Sequence, residues 1–263
     1  KNLGFIFDIK DKKYKFLKLD TQFNKIRLNA PFIKIEEKNN LYLVDGKIIN
    51  NEKKIPIILI QDLLSSVPVD LDLKTLNFSS VNNFSFKVNK RFKFSDLDIN
   101  SEINLNKLTF KNNFEHIKKY FPEIKELIDL KDHKIEFNYN KDRAEIIGVG
   151  QISIEDKEDK ISYEIVKKDR QYLFKNFFEI KQNIILIDEL NYKKNKNKKA
   201  KIKIDGVLSI NKNLFFNEIS LIENDNSILI KDLYLNNKLK ISDIGLFKLD
   251  YKSYNKTYNQ IYL

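Results

Sequence analysis

The chain contains two histidines, His116 and His133, and no cysteine. Without thiolates there is no disulfide, no Cys-ligated zinc and no thiol nucleophile. The histidines form no HExxH pair, share no metal-ligand spacing and complete no Ser-His-Asp order, so they read as structural or surface residues and no metal is expected. Carboxylates come closer to chemistry. Asp70 with Asp72, and Asp96 with Asp98, are spaced i, i+2, which on a strand puts each pair on one face, where two carboxyls can divide acid and base work. Their surroundings read instead as the wet outer face of a sheet. Glu155, Asp156, Glu158 and Asp159 around Lys157 lack the Asp-x-Asp-x-Asp-Gly spacing and the distal Glu of a calcium loop, and read as a solvated hairpin tip. Gly148-Val149-Gly150 is not followed by Lys-Ser/Thr and is no phosphate loop. With no catalytic motif left, neither an enzymatic activity nor a cofactor is expected.

The feature that remains is alternation. A strand turns successive side chains to opposite faces, so a period of two makes one apolar and one wet face. Phe84, Phe86 and Val88 interleave with Ser85, Lys87 and Asn89, and Phe92 and Phe94 follow. Ile103 and Leu105 alternate with Glu102, Asn104 and Asn106. The pattern returns in Ile135, Phe137 and Tyr139, in Ile161, Tyr163 and Ile165, and in Ile202 and Ile204. It ends in Leu233, Leu235, Leu239, Ile241, Phe247 and Leu249. These are the candidate lining of one continuous apolar groove.

The expected fold class is therefore mainly β: a long twisted antiparallel meander forming a groove or taco-like sheet. Strands are expected at Leu3 to Ile9, Lys13 to Leu19, Asn24 to Leu28, Phe32 to Glu37 and Leu41 to Val44, then from Val69 to Phe110 and onward to Tyr251. Asp45-Gly46, Asp205-Gly206 and Asn236-Asn237 read as turns, as does Asn89 to Arg91. Pro56 to Ser66 fits a buried strand running into a short helix. Phe114, Ile117, Tyr120, Phe121, Ile124, Leu127 and Ile128 follow helical spacing, which predicts one or two short amphipathic helices at about 114–130, interrupted by Pro122 and plugging an end or edge of the sheet. His133 falls just before a strand, and the tail after Tyr251 reads as frayed. At 263 residues, with 42% apolar and 32% charged residues, the chain is globular rather than disordered. It reads as one elongated β-rich domain over residues 1–263, a fragment of a larger protein, with a subdivision point near 111–132.

The net charge of +11 raises nucleic acid as a partner. A single-strand binder needs rings and cations on one face. Here the Phe residues alternate with Lys, so a stacked base would leave its phosphate on the wrong side, and no nucleic acid is expected. The densest basic run, Lys193, Lys194, Lys196, Lys198, Lys199 and Lys201, reads as a solvated hairpin loop. No apolar run approaches the roughly 20 residues of a membrane-spanning helix.

Certain phrases resemble a known family. Phe121-Pro122-Glu123-Ile124, Lys131 to Ile135, Ile147 to Gly150, Ile161 to Ile165 and Lys203-Ile204-Asp205-Gly206-Val207, with the strands to Leu249, resemble the C-terminal region of AsmA-like proteins of the YhdP type. The resemblance covers about Leu71 to Tyr251 and rests on strand rhythm and turn phrases. It implies a relative of bridge-like lipid transfer proteins, tethered to the bacterial inner membrane by an anchor outside this chain and projecting through the periplasm. It further implies phospholipid acyl chains as cargo between inner and outer membrane, and envelope proteins as partners. The family offers no catalytic residues to carry over. The same apolar residues could instead close on each other as the core of a structural or interaction β domain.

Overall fold

The computed structural model describes residues 4–10, 12–23, 26–51, 54, 55, 57, 72–111, 117–155, 157–209 and 213–263. Within them lie β1 (Gly4–Asp8), β2 (Lys13–Phe23), β3 (Ile26–Lys38), β4 (Leu41–Asn50), β5 (Leu73–Asn89) and β6 (Phe94–Lys111). Then come β7 (Leu127–Asn140), β8 (Arg143–Ser153), β9 (Glu158–Lys168), β10 (Gln171–Ile180), β11 (Ile185–Ile187) and β12 (Tyr192–Lys194). Last are β13 (Ala200–Ser209), β14 (Leu214–Glu223), β15 (Asn226–Leu235), β16 (Ile241–Lys252) and β17 (Tyr258–Tyr262). Fifteen strands form one antiparallel sheet in chain order, broken only where β10 pairs with β13 and leaves β11–β12 as a separate hairpin. β1 and β17 are its edges, so the sheet is an open meander. By compactness the chain divides into two units, Lys1–Asp70, Thr75–Leu108 and Asp132–Ile146 in the first, Leu71–Lys74, Thr109–Lys131 and Ile147–Leu263 in the second.

Asparagine sets several turns. The Asn89 Oδ1 accepts from the Arg91 and Lys93 N–H groups, and the Asn236 Oδ1 accepts from the Lys238 and Lys240 N–H groups. An Asn side chain thereby folds the chain back on itself. Both turns put a bulky residue at positive φ, Phe92 at 56° and Leu239 at 56°.

Several expectations are corrected. No helix spans 114–130 among the described residues. Tyr120 and Phe121 N–H groups donate to the Ile117 carbonyl in a single turn, the Lys125 N–H donates to the Ile154 carbonyl, and β7 begins at Leu127. Pro122 supplies no donor to extend that turn. The apolar residues that suggested a helix are buried all the same: Phe121 and Ile124 pack with Ile128, Ile152 and Ile154.

Asp45-Gly46 and Asp205-Gly206 lie inside β4 and β13. A Cβ on Gly46 would come within 2.6 Å of the Phe84 ring, and one on Gly206 within 2.4 Å of the Phe215 carbonyl oxygen and 2.9 Å of the Phe174 ring. These glycines clear room for a cross-strand aromatic. The two strands expected between Asn24 and Glu37 are one, β3, with a register shift between Asn29 and Phe32 around Pro31, which has no N–H for the ladder. His133 lies within β7 and is buried. The tail is ordered, since β17 pairs with β16. Pro56 and residues 58–71, Phe114 to His116 and Asp156 lie outside the described residues, and with them the Pro56 to Ser66 reading, Asp70 and His116.

Candidate functional site

In the first unit, β3, β4 and β5 align their apolar positions by register. Ile33 pairs with Gly46, Gly46 with Phe84, Val44 with Phe86, and Ile48 with Asn82. Paired residues share a face. The result is a cleft of about 790 Å³. Ile26, Leu28 and Ile33 line it from β3, and Val44, Ile48 and Asn50 from β4, with Ile55 following. Phe78, Ser80, Asn82, Phe84 and Phe86 come from β5, Leu97, Ile99, Ser101 and Ile103 from β6, and Phe137 from β7. Thirteen of the seventeen described lining residues are apolar, and the other four are uncharged. The Phe84 and Phe86 rings stack at 5.9 Å, and Phe94 tilts against Phe86 at 5.5 Å. The face continues across β2 and β1, where Phe5 meets Phe16 at 5.1 Å and Phe7 meets Tyr14 at 4.5 Å.

The opposite face of these strands is wet and holds ion pairs such as Lys34 with Asp45 and Lys87 with Asp96. Lys87 holds the exposed Asp96 carboxyl below its usual range, by hydrogen bond first and charge second. Asp98 accepts from Asn100 and Asp72 pairs with Lys74, so the partners of these carboxylates are neighbouring side chains.

Of the residues expected to line a groove, Phe84, Phe86, Ile103 and Phe137 meet in this cleft. Val88 and Leu105 are buried, and Ile135 and Tyr139 are half-buried on β7. Phe92 is 79% exposed, at its turn, and Phe94 is exposed at the start of β6. Sequence reasoning omitted the contribution of β3 and β4. Ile33 and Val44 stood inside predicted strands, yet the alternation there is diluted by neighbouring Ile and Leu residues.

In the second unit the register gathers the remaining candidates on one face. Ile161 pairs with Phe178, Phe178 with Ile202, Ile202 with Leu221, Leu221 with Ile228 and Ile228 with Leu249. One row further along, Tyr163 pairs with Asn176, which pairs with Ile204. Ile165 and Phe247 continue these rows, as do Leu233, Leu235 and Ile241. Ile241 is exposed, and Leu239 lies in its turn at 68% exposure. The Tyr163 ring lies over Gly148, and burial pushes its hydroxyl up to about 12.

One end of this face is closed. The β11–β12 hairpin brings Ile185 and Tyr192 onto Ile180, Leu221, Ile228 and Leu249, with Phe121 and Leu190 alongside. Its polar groups are anchored. The Asp159 carboxylate accepts from the Lys181 and Gln182 N–H groups at 2.7 and 2.9 Å and from the Asn183 N–H and amide nitrogen at 3.3 and 2.5 Å. The buried Lys194 ammonium donates to the Lys181 and Asn183 carbonyls, at 3.0 and 2.5 Å. The Tyr192 hydroxyl donates to Glu223 at 2.7 Å. Burial, then Glu223, raises that hydroxyl above its ordinary range, and burial lowers the Lys194 ammonium against the pull of Asp159, Glu223 and Glu155. Contrary to the solvated reading, Glu155 and Asp159 of the acidic tip and Lys194 of the basic run are buried, while Lys157 and Glu158 are exposed.

Glu155 has one carboxylate oxygen without a hydrogen-bond partner, and burial followed by Glu123 raises its pKa, with Lys196 at 3.8 Å opposing. A raised carboxyl contributes stability below its unfolded value of about 4.3 and loses it as pH rises through the folded value. Glu155→Gln should therefore raise the melting temperature at neutral pH and flatten its fall between acid and neutral pH. An unchanged melting profile across that range would contradict the assignment.

Among the described residues, no three His, Asp or Glu side chains group to hold a metal, and no helix is long and apolar enough to cross a membrane. Compared with protein-family models, curated proteins and solved structures, the chain matches none.

Proposed function

We propose that this chain is a lipid-binding segment of an AsmA-like cell-envelope protein that holds acyl chains on apolar β surface during phospholipid transport between inner and outer membrane. The observation that supports this most is the first unit's cleft, with thirteen apolar residues and no charged one among its described lining residues. Its volume falls in the range of small-molecule sites, roughly 300–1,000 Å³. Each methylene it removes from water contributes about 0.8 kcal/mol, so a chain of a dozen or more carbons is retained with no polar contact at all. Residence in the periplasm, an inner-membrane anchor outside this chain, envelope protein partners and the absence of catalysis belong to the same proposal and rest on the AsmA-like resemblance.

One observation favours a second reading, a non-catalytic structural or interaction domain with a closed core. In the second unit the β11–β12 hairpin fills one end of the apolar face with Ile185 and Tyr192. Native mass spectrometry of the purified chain, followed by lipid extraction, separates the two. Phospholipid bound in a reproducible ratio supports the lipid reading. Folded protein with no lipid leaves the scaffold.

A further inference from the structure

Four of the described residues lining the first unit's cleft are polar, Asn50, Ser80, Asn82 and Ser101. Asn50 pairs with Ser80 across β4 and β5, and Ile48 with Asn82 one step along. At the far end of the β5–β6 hairpin the Lys111 N–H donates to the Asp72 carbonyl. Ser101 joins Ser80 and Asn82 in the same lining, from β6. Ser80, Asn82 and Ser101 therefore form a short polar belt across an otherwise apolar lining.

The amide donors of the belt are committed. The Asn82 Nδ2 donates to the Ile48 carbonyl at 3.2 Å and to the Ser80 Oγ at 3.0 Å, and the Asn50 Nδ2 donates to the Phe78 carbonyl at 3.2 Å. The hydroxyls are not. Ser80 accepts from Asn82 and keeps its own proton, and no described residue bonds the Ser101 hydroxyl. Both serines are about nine-tenths buried or more, at 6% exposure each, yet both line the cleft. A buried hydroxyl that faces an apolar ligand with no acceptor leaves a hydrogen bond unmade.

We infer that the Ser80–Asn82–Ser101 belt seats the ester carbonyl of a diacyl glycerolipid, each serine hydroxyl donating to a carbonyl oxygen while the acyl chain lies along the apolar lining. The inference rests on the lipid reading and adds to it the class of lipid and the point of attachment. None of the described lining residues is charged, which leaves a phosphate headgroup outside the cleft, in water. An ether-linked lipid of equal chain length offers no carbonyl, so it fills the same apolar surface without satisfying the hydroxyls.

The test is competition for the purified chain between a diester phosphatidylglycerol and the diether of the same headgroup and chain length, read by native mass spectrometry. The expected preference for the diester is about fivefold for each hydroxyl that donates. Ser101→Ala and the double Ser80→Ala, Ser101→Ala variant should lower that preference stepwise while diether binding stays constant, which also reports that the variants fold. Equal retention of both lipids by the wild-type chain overturns the belt and leaves the lipid reading standing. Retention of neither overturns both.

Discussion

Phe86→Asp should reduce co-purifying lipid by about tenfold or more, while Asn83→Asp, three residues away, should leave it unchanged. Phe86 lines the cleft between Phe84 and Phe94, on the face that also holds Val44. A carboxylate there removes a ring from the lipid's surroundings and needs either water or a proton, and both are costly against an acyl chain. Asn83 pairs with Lys47 on the opposite face and is exposed, so the same added charge meets solvent. The pair of variants separates a lining effect from a general effect of charge. Equal lipid content in folded Phe86→Asp and wild-type protein would remove the cleft from the mechanism, and a loss in Asn83→Asp would show that charge alone governs retention.

Asp159→Ala should destabilise the chain by about 3–5 kcal/mol, the order of cost for removing one partner from a buried charged cluster, since this carboxylate accepts four hydrogen bonds. For a chain of this size the melting temperature should fall on the order of 10 °C. The loss is local in origin. Asp159 orients the residues that lead from β10 into the β11–β12 hairpin, and Lys194 ties the far side of that hairpin to the same turn through the Lys181 and Asn183 carbonyls. Without the carboxylate, the buried Asn183 amide loses its acceptor and the Lys194 ammonium loses an attracting charge. Hydrogen exchange should then accelerate at Lys181, Gln182 and Asn183 and over Ile185 to Ile187, while β14 and β15 stay protected. Asp159→Asn retains shape and one acceptor and should fall between the two. An unchanged melting temperature with unchanged exchange at Lys181 would show that the hairpin is held by apolar packing alone.

How much of this was legible in the sequence differs by element. The strand rhythm from Phe84 to Phe110 and from Lys201 to Tyr251 was legible because a half-buried strand imposes period two on its own residues, with no knowledge of its partners. The same counting ran through two turns and so included Phe92 and Leu239. Nothing in Asn-Lys-Arg-Phe-Lys or Asn-Asn-Lys-Leu-Lys announces that the bulky residue takes a positive φ; the Asn side chain's bonds to the returning strand decide that. The segment around Phe121 misled in the other direction. Its i, i+3, i+4 spacing came from a turn followed by a strand, both facing one core. Asp45-Gly46 and Asp205-Gly206 read as turns because Gly favours them, and their place inside strands follows from Phe84 and Phe174 on neighbouring strands.

The amino-acid sequence alone determined that this protein is an antiparallel β meander with one apolar face, without thiol chemistry and without a recognisable catalytic motif. These are consequences of residue type and near-neighbour order. The tertiary structure alone decided, within each unit, which apolar positions line a cleft and which are filled. It brought β3 and β4 to line the cleft with Phe84 and Phe86, set Ser80, Asn82 and Ser101 in a belt, and folded the hairpin bearing Tyr192 and Lys194 over Leu249. The physical reason is register: pairing between strands, and the landing place of a hairpin, depend on contacts between residues far apart in the chain, to which local alternation is blind.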